Sequence, residues 1–138
     1  MKIYFGGGVG HRPGPVAKLL EALAPVLQGR GHTVLKCGPT PTESALYDAN
    51  LACITASDLF IAPVDAPTME LGADLQEAIR VEKPVLCITD GRNPIASAYL
   101  IGADAEGVLD LTAFRDVDDA AEKICAFAVI AQAQRAAA

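Results

Sequence analysis

The feature that most constrains the fold is the stretch of residues 57–88, SDLFIAPVDAPTMELGADLQEAIRVEKPVLCI. Residues 59–64 form a short apolar run bounded by polar residues, which predicts a strand. Polar and proline residues then interrupt the run, and residues 71–81 carry apolar side chains at helical spacing. Pro84 opens a second apolar run. The stretch therefore predicts a strand, an acidic loop, a helix and a second strand.

The loop between this strand and this helix gathers polar side chains. In a parallel α/β sheet, ligands bind beyond the carboxyl ends of the strands, where such a loop lies. We therefore expect Asp65, Thr68, Glu70 and Asp74 at one pocket rim. Asp74 is expected in the first helical turn, where the helix dipole keeps a carboxylate ionised and suited to nucleophilic attack. The alternatives are that aspartate simply favours helix starts, or that Glu70 or Glu77 is the reactive acid.

The rest of the chain alternates between strand and helix patterns. The predicted strands are residues 2–5, 32–37, 59–64, 84–89 and 107–111. The predicted helices are residues 15–28, 43–56, 71–81, 95–101 (ended by Gly102) and one that starts at Asp116 or Asp118. Strict alternation favours a parallel sheet with right-handed crossovers. We predict an α/β fold, a flavodoxin-like or Rossmann-like three-layer sandwich with a five-stranded, mostly parallel sheet, as a single domain over residues 1–138.

Charge and hydropathy exclude several classes of partner. The formal net charge of −6 disfavours nucleic-acid polymers and anionic membranes. A mononucleotide stays possible, because a helix N-terminus and a few local donors suffice for one phosphate. No apolar run approaches the ~20 residues that span a bilayer, and the first residues begin a strand rather than a signal peptide. We expect a cytoplasmic protein that binds a small molecule.

The glycine-rich segment after the first strand, GGGVGHRPGP, does not fit a dinucleotide-binding fingerprint. His11 stands where the third glycine belongs, and no acidic residue follows the second strand. Two interpretations remain. The segment is a turn needed for chain reversal, or its bare backbone at Gly6, Gly7 and Gly8 lets a small ligand approach the N–H groups. We expect no organic cofactor.

The cysteines and histidines predict no metal centre. The four cysteines, at positions 37, 53, 87 and 125, lie in apolar contexts without a C-x-x-C pair. This pattern is typical of reduced core thiols in a reducing compartment. Neither His11 nor His32 shares zinc-ligand spacing with a cysteine.

The stretch of residues 57–88 also matches a known family pattern. The matching positions are Asp58, the apolar strand, Pro67-Thr68, Gly72, Leu75, Ala78, Lys83-Pro84 and the strand that follows. On these residues the chain resembles the nucleoside 2-deoxyribosyltransferase family, which includes the related nucleoside 5'-monophosphate N-glycosidases. Asp74 falls where the family places its nucleophilic glutamate. The resemblance extends over residues 2–111.

The resemblance implies roles for residues of the first strand and its loop. Tyr4 matches the family tyrosine whose hydroxyl positions the nucleophilic carboxylate; the alternative is a strand residue that faces the core. The nucleotide-cleaving members carry a serine and an arginine where this chain has Gly8 and Gly10. Arg12 is a candidate replacement for the missing cation, or else a solvated arginine.

Three further polar residues match substrate-contacting positions of the family. Thr68 corresponds to a substrate contact, and Ser97 to a serine that reaches the phosphate of a neighbouring subunit. Asn50 stands where the family has an aspartate that helps with the base, and an amide there adds a donor and alters base preference. The alternatives are a helix cap for Ser97 and a solvent-facing helix residue for Asn50.

The resemblance implies an enzyme that acts on N-glycosidic bonds. A carboxylate attacks the anomeric carbon, and the glycosyl-enzyme is resolved by another base or by water. It also implies a homodimer or a higher homo-oligomer, because the family completes its pockets across subunits. The alternative is a catalytically silent nucleotide- or nucleoside-binding protein that has lost the glutamate. A phosphoacceptor receiver domain is disfavoured, since no acidic cluster follows the first strand.

Overall fold

A computed structural model describes residues 1–7, 14–36, 40–95 and 97–138. Five strands alternate with five helices along these residues. The strands are β1 (Lys2–Phe5), β2 (Thr33–Leu35), β3 (Leu59–Pro63), β4 (Val85–Thr89) and β5 (Asp110–Ala113). The helices are α1 (Pro15–Gly29), α2 (Glu43–Ala56), α3 (Met69–Arg80), α4 (Ala98–Ala105) and α5 (Val117–Ala137).

The five strands form one sheet in the order β2-β1-β3-β4-β5. Every neighbouring pair is parallel, which confirms the predicted α/β fold and five-stranded sheet. The strand order is that of flavodoxin-like folds, and the chain reverses its direction of travel between β1 and β3. The carboxyl ends of these two strands therefore border a crevice where ligands of such folds bind.

Helices cover both faces of the sheet, and alternate strand residues serve the two layers. Ile3 and Phe5 pack with α1 and α5, whereas Tyr4 between them packs with the layer formed by α2, α3 and α4. Phe60 of β3 is fully buried in the same layer as Tyr4. Because successive strand side chains point to opposite faces, Tyr4 and Phe60 lie together on the face that α3 covers.

The helix α4 and the strand β5 begin later than the sequence predicted. The helix was expected at residues 95–101 and ended by Gly102, but α4 starts after Ser97, whose side chain accepts a hydrogen bond from the Leu100 N–H. Gly102 lies inside α4. The turn that ends the helix uses Gly107 at φ 70°, so β5 begins three residues further on. Glycine is the residue that adopts this left-handed backbone without steric cost.

No helix in the described part of the chain combines the length and apolar character needed to cross a bilayer.

The glycine at position 6 allows an aromatic ring to close the end of β1. A Cβ built at Gly6 would lie 2.3 Å from Cζ of Phe60, far inside van der Waals contact. The Phe60 ring is fully buried and packs against the Tyr4 ring, with centroids 6.0 Å apart. The Gly6 N–H donates to the Ile61 carbonyl at 3.0 Å. Gly6 is therefore held between the backbone of β3 and a fully buried aromatic ring.

We expect Gly6→Ala to destabilise the fold by about 1–3 kcal/mol, because the added methyl overpacks the site that Phe60 fills. Chemical denaturation measures the change. Gly102→Ala is the control: nothing approaches a Cβ at that helical position, so alanine should be neutral or stabilising. Equal denaturation midpoints for Gly6→Ala and the natural protein would contradict the proposed contact.

Candidate active site

The candidate site is built around a hydrogen bond between β1's loop and α3. The Gly7 N–H donates to Oδ2 of Asp74 at 2.9 Å. Gly7 directly follows the end of β1 and has φ 92°. Asp74 is the sixth residue of α3, the helix that follows β3. The bond therefore lies at the crevice between β1 and β3, where the chain changes direction.

Asp74 lies deeper in its helix than the sequence predicted. The helix begins at Met69 with Thr68 as its N-cap, so Asp74 is in the second turn, and Glu70 is the acid of the first turn. The Asp74 side chain is buried, with 7% of the residue exposed. Burial raises the pKa of Asp74, the Gly7 N–H lowers it by a smaller amount, and the charge of Glu70 raises it further. The net shift opposes the expectation that the helix dipole keeps this carboxylate ionised.

Tyr4 and Asn50 form a second buried pair, on the face of the sheet that α3 covers. The Tyr4 hydroxyl donates to Oδ1 of Asn50 at 3.1 Å, whereas the family resemblance implied that it would hold Asp74. Asn50 is 9% exposed, so the alternative of a solvent-facing helix residue is wrong. With Oδ1 occupied, the amide N–H₂ group of Asn50 has no hydrogen-bond partner among the described residues. Buried amide donors are nearly always paired in native proteins, so this group is suited to a ligand acceptor.

Asp65 joins the ends of two neighbouring strands. Its Oδ1 accepts a hydrogen bond from the Thr89 hydroxyl at 2.5 Å, and its Oδ2 accepts one from the Asp90 N–H at 2.7 Å. Thr89 ends β4 and is buried. Asp65 was expected to bind substrate, but here both of its oxygens hold the loop that leaves β4. Thr89 was not among the predicted site residues; the available signal was a polar residue at the end of an apolar strand.

Thr68 and Ser97 both begin helices. The Thr68 hydroxyl accepts a hydrogen bond from the Leu71 N–H at 3.0 Å, and the Ser97 hydroxyl accepts one from the Leu100 N–H at 3.3 Å. The capping role considered for Ser97 is thus present. A hydroxyl that accepts through one lone pair still has its proton to donate to a ligand. The predicted contacts at Gly8 and Arg12 lie outside the described residues.

The described residues include no cluster of three histidine, cysteine or acidic side chains that could hold a metal ion. Burial raises the pKa of the Cys87 thiol to about 12, which makes it a core residue rather than a nucleophile. The candidate chemistry therefore lies with the carboxylate of Asp74 and the polar groups around it.

No family model matches the chain. A 5-hydroxymethyl-dUMP N-hydrolase from Danio rerio is 26% identical over 75 residues, which are 54% of this chain and 52% of that protein. The chain thus spans about half the length of this relative.

Two solved structures share the whole architecture. The CMP N-glycosidase BcmB of Clostridium botulinum has a TM-score of 0.69 at 16% identity, over 92% of this chain and 99% of that one. A 2-deoxyribosyltransferase from Bacillus psychrosaccharolyticus has a TM-score of 0.63 at 19% identity, over 88% of this chain and 90% of that one. The chain has the fold of the 2-deoxyribosyltransferases.

The resemblance predicted from residues 57–88 is thereby confirmed at the level of the fold. The assignment of the family's glutamate position to Asp74 stays a prediction from the sequence pattern. The structure brings Asp74 together with Gly7 and brings Tyr4 together with Asn50. It places Asp65 on Thr89 and leaves Thr68 and Ser97 at helix starts.

We expect Asp74→Asn to melt at an equal or higher temperature than the natural protein at pH 7. A carboxyl whose folded pKa is raised stabilises the fold below its unfolded pKa, and that contribution is lost as pH rises through the folded pKa. The amide removes the buried charge and keeps an oxygen for the Gly7 N–H. The difference in melting temperature between Asp74→Asn and the natural protein should therefore vanish below about pH 4, near the pKa of an unfolded aspartate. Melting curves across pH measure it.

Asp119→Asn is the control, because the fold lowers the pKa of Asp119 and raises that of Asp74. The Arg115 N–H, together with the charged groups of Lys123 and Arg115, lowers the pKa of Asp119 to about 2. This carboxylate stabilises the fold above its unfolded pKa, and the contribution is lost as pH falls towards 2. The control should therefore melt earlier at pH 7. A loss of stability of Asp74→Asn that is the same at pH 7 and pH 3 would contradict the assignment of a costly buried charge at Asp74.

Proposed function

We propose that this protein cleaves the N-glycosidic bond of a nucleoside or a nucleoside 5'-monophosphate, with Asp74 as the nucleophile. The observation that carries the proposal is a buried carboxylate at the crevice between β1 and β3, with one oxygen fixed by the Gly7 N–H. The other oxygen, Oδ1, has no partner among the residues that the structure describes. Such a carboxylate is oriented and still has an oxygen with which to react.

The proposed reaction has two displacements at the anomeric carbon. Oδ1 of Asp74 forms a bond to C1', the bond from C1' to the base nitrogen breaks, and its electron pair leaves with the base, which takes up a proton. The glycosyl ester is then attacked at C1' by water, giving hydrolysis, or by a second base, giving transfer. Each transition state resembles an oxocarbenium ion, which a neighbouring carboxylate stabilises.

The similar proteins support a nucleotide as the substrate. Both the Danio rerio relative and the Clostridium botulinum structure are named for cleaving a nucleoside monophosphate. In the proposed complex, the hydroxyls of Thr68 and Ser97 donate to the sugar phosphate. The unpartnered amide of Asn50 donates to an acceptor on the substrate, where an aspartate would require a donor.

We expect Asp74→Ala to lose base release by a factor on the order of 10⁴ or more, because the nucleophile is removed. The measurement is chromatography of the released base over a panel of nucleosides and nucleotides. Glu77→Ala is the matched control on the same helix, since Glu77 pairs with Arg80 at 2.7 Å on the exposed side. Full turnover by Asp74→Ala, or an equal loss in Glu77→Ala, would refute the assignment of Asp74.

The same panel separates the enzyme from a silent binding protein. Aspartate is one methylene shorter than the glutamate of the family pattern, and a misplacement of ~1 Å costs on the order of 100-fold in rate. If calorimetry detects nucleotide binding by the natural protein but no base is released from any nucleotide, the protein is a binding protein with this fold.

We also propose that the protein is a homo-oligomer, most simply a homodimer. The α4 helix exposes Tyr99 and Ile101, which are 55% and 54% accessible, next to the Ser97 position. Exposed apolar side chains grouped on one helix are typical of symmetric contacts between copies. A cytoplasmic location is supported by the unpaired thiols of Cys87 and Cys125, which suit a reducing compartment.

Light scattering at micromolar concentration should give at least twice the mass of one chain. Ile101→Glu should shift the protein towards the monomer, because a charge replaces an apolar contact. Tyr47→Glu is the control, because Tyr47 is the one large apolar side chain that α2 exposes among the described residues, and it should leave the mass unchanged. If the natural protein is a stable monomer, the proposed homo-oligomer is refuted, and so is a role of Ser97 at the phosphate site of a neighbouring subunit.

A further inference from the structure

The two glycines that follow β1 are placed where they control the candidate nucleophile. Gly6 is fixed to β3 by its hydrogen bond to the Ile61 carbonyl and by the Phe60 ring that covers it. Gly7 comes next, and its N–H reaches the carboxylate of Asp74 at 2.9 Å. The direction of this N–H is therefore set by the pairing of β1 with β3 rather than by the loop that follows.

We propose that Gly7 is a positioning residue of the active site: its backbone N–H selects which carboxylate oxygen of Asp74 faces the substrate and holds that side chain in place. This inference rests on the proposed function of Asp74. Gly7 would act through its backbone and not through a side chain. From the sequence it was predicted to contact the substrate instead.

Two independent constraints require glycine at this position. The backbone of Gly7 has φ 92°, a conformation that residues with a Cβ rarely adopt. A Cβ at Gly7 would also lie 3.3 Å from Cβ and 3.5 Å from Cδ1 of Leu71. Leu71 is buried on α3, three residues before Asp74, so the two side chains share one helical face. A methyl at position 7 therefore pushes on the same helix face that carries the carboxylate.

The hydrogen bond has two chemical effects on Asp74. It restrains Oδ2, so that Oδ1 is the oxygen left to react. It also stabilises the ionised form, which counteracts the burial and the Glu70 charge that raise the pKa of Asp74. Glu70, on the same helix, is the charged side chain among the described residues that shifts this pKa. Loss of the N–H contact should therefore raise the pKa further and misplace the carboxylate.

The first test compares Gly7→Ala with Gly31→Ala. Gly31 has nearly the same backbone, φ 87°, but a Cβ there meets no atom within 4 Å, so it reproduces the backbone strain without the contact. We expect Gly7→Ala to lower kcat/KM for base release by about 100-fold, mainly through kcat. The acid limb of its pH profile should move to higher pH. Gly31→Ala should retain the natural kcat/KM and profile. Unchanged kinetics in Gly7→Ala would overturn the proposal.

A second readout does not need enzyme activity. Titration of the Asp74 carboxyl carbon by NMR should give a higher pKa in Gly7→Ala than in the natural protein and in Gly31→Ala. An equal pKa in all three proteins would overturn the proposal, even if base release is observed. A shifted pKa in a protein that releases no base from any substrate would support the positioning role and refute the proposed reaction.

Semisynthesis covers the case in which Gly7→Ala does not fold. A synthetic segment of residues 1–36 is joined to residues 37–138 at Cys37 by native chemical ligation. With glycolic acid at position 7, an ester oxygen replaces the N–H, and neither a Cβ nor a new contact is added. The same rise in the Asp74 pKa and the same shift of the acid limb are expected. An ester protein with the natural pKa and rate would show that the N–H does not position Asp74.

Discussion

The parallel pairing of β1 with β3 brings together groups that are far apart in the chain. Gly7 and Asp74 are 67 positions apart, yet they are joined because each follows the carboxyl end of one of these two strands. The pairing also fixes Gly6 on the Ile61 carbonyl and seats the Phe60 ring over it. Without this register there is no crevice, no fixed turn after β1 and no donor for the buried carboxylate.

The same layer contains polar groups that an ordinary core would avoid. The carboxylate of Asp74 and the amide of Asn50 are both buried, and each has one atom engaged and another without a partner in the described part of the chain. Buried polar groups that lack some of their hydrogen bonds reduce the stability of the fold, and they are typical of ligand-binding sites. The apolar layer on the opposite face, formed by α1 and α5, supplies the compensating core.

The sequence predicted the architecture well because hydrophobic periodicity determines it. The five strands, the five helices and the caps at Thr42 and Asp116 follow from local patterns. The roles predicted for Asp74 and Tyr4 stay predictions, and the sequence did not predict the hydrogen-bond partners that the structure gives them. The Asp74 partner is a backbone N–H, which no residue type reveals, and the Tyr4 partner depends on how α2 crosses β1. The hydrogen bonds of Asp65 to Thr89 and Asp90 were not predicted either, because the position of Asp65 at a strand end does not show that Thr89 lies opposite.

The aspartate at position 74 and the tight turn at Gly6 and Gly7 form one structural solution. An aspartate oxygen lies about one bond length closer to its helix than a glutamate oxygen would, so any group that holds it must come closer to α3. A side chain on residue 6 would meet the Phe60 ring, and one on residue 7 would meet Leu71. Two glycines remove both obstacles and let the backbone itself supply the donor. The backbone after β1 therefore reaches Asp74 directly, and substitution of either glycine should change how the carboxylate is held.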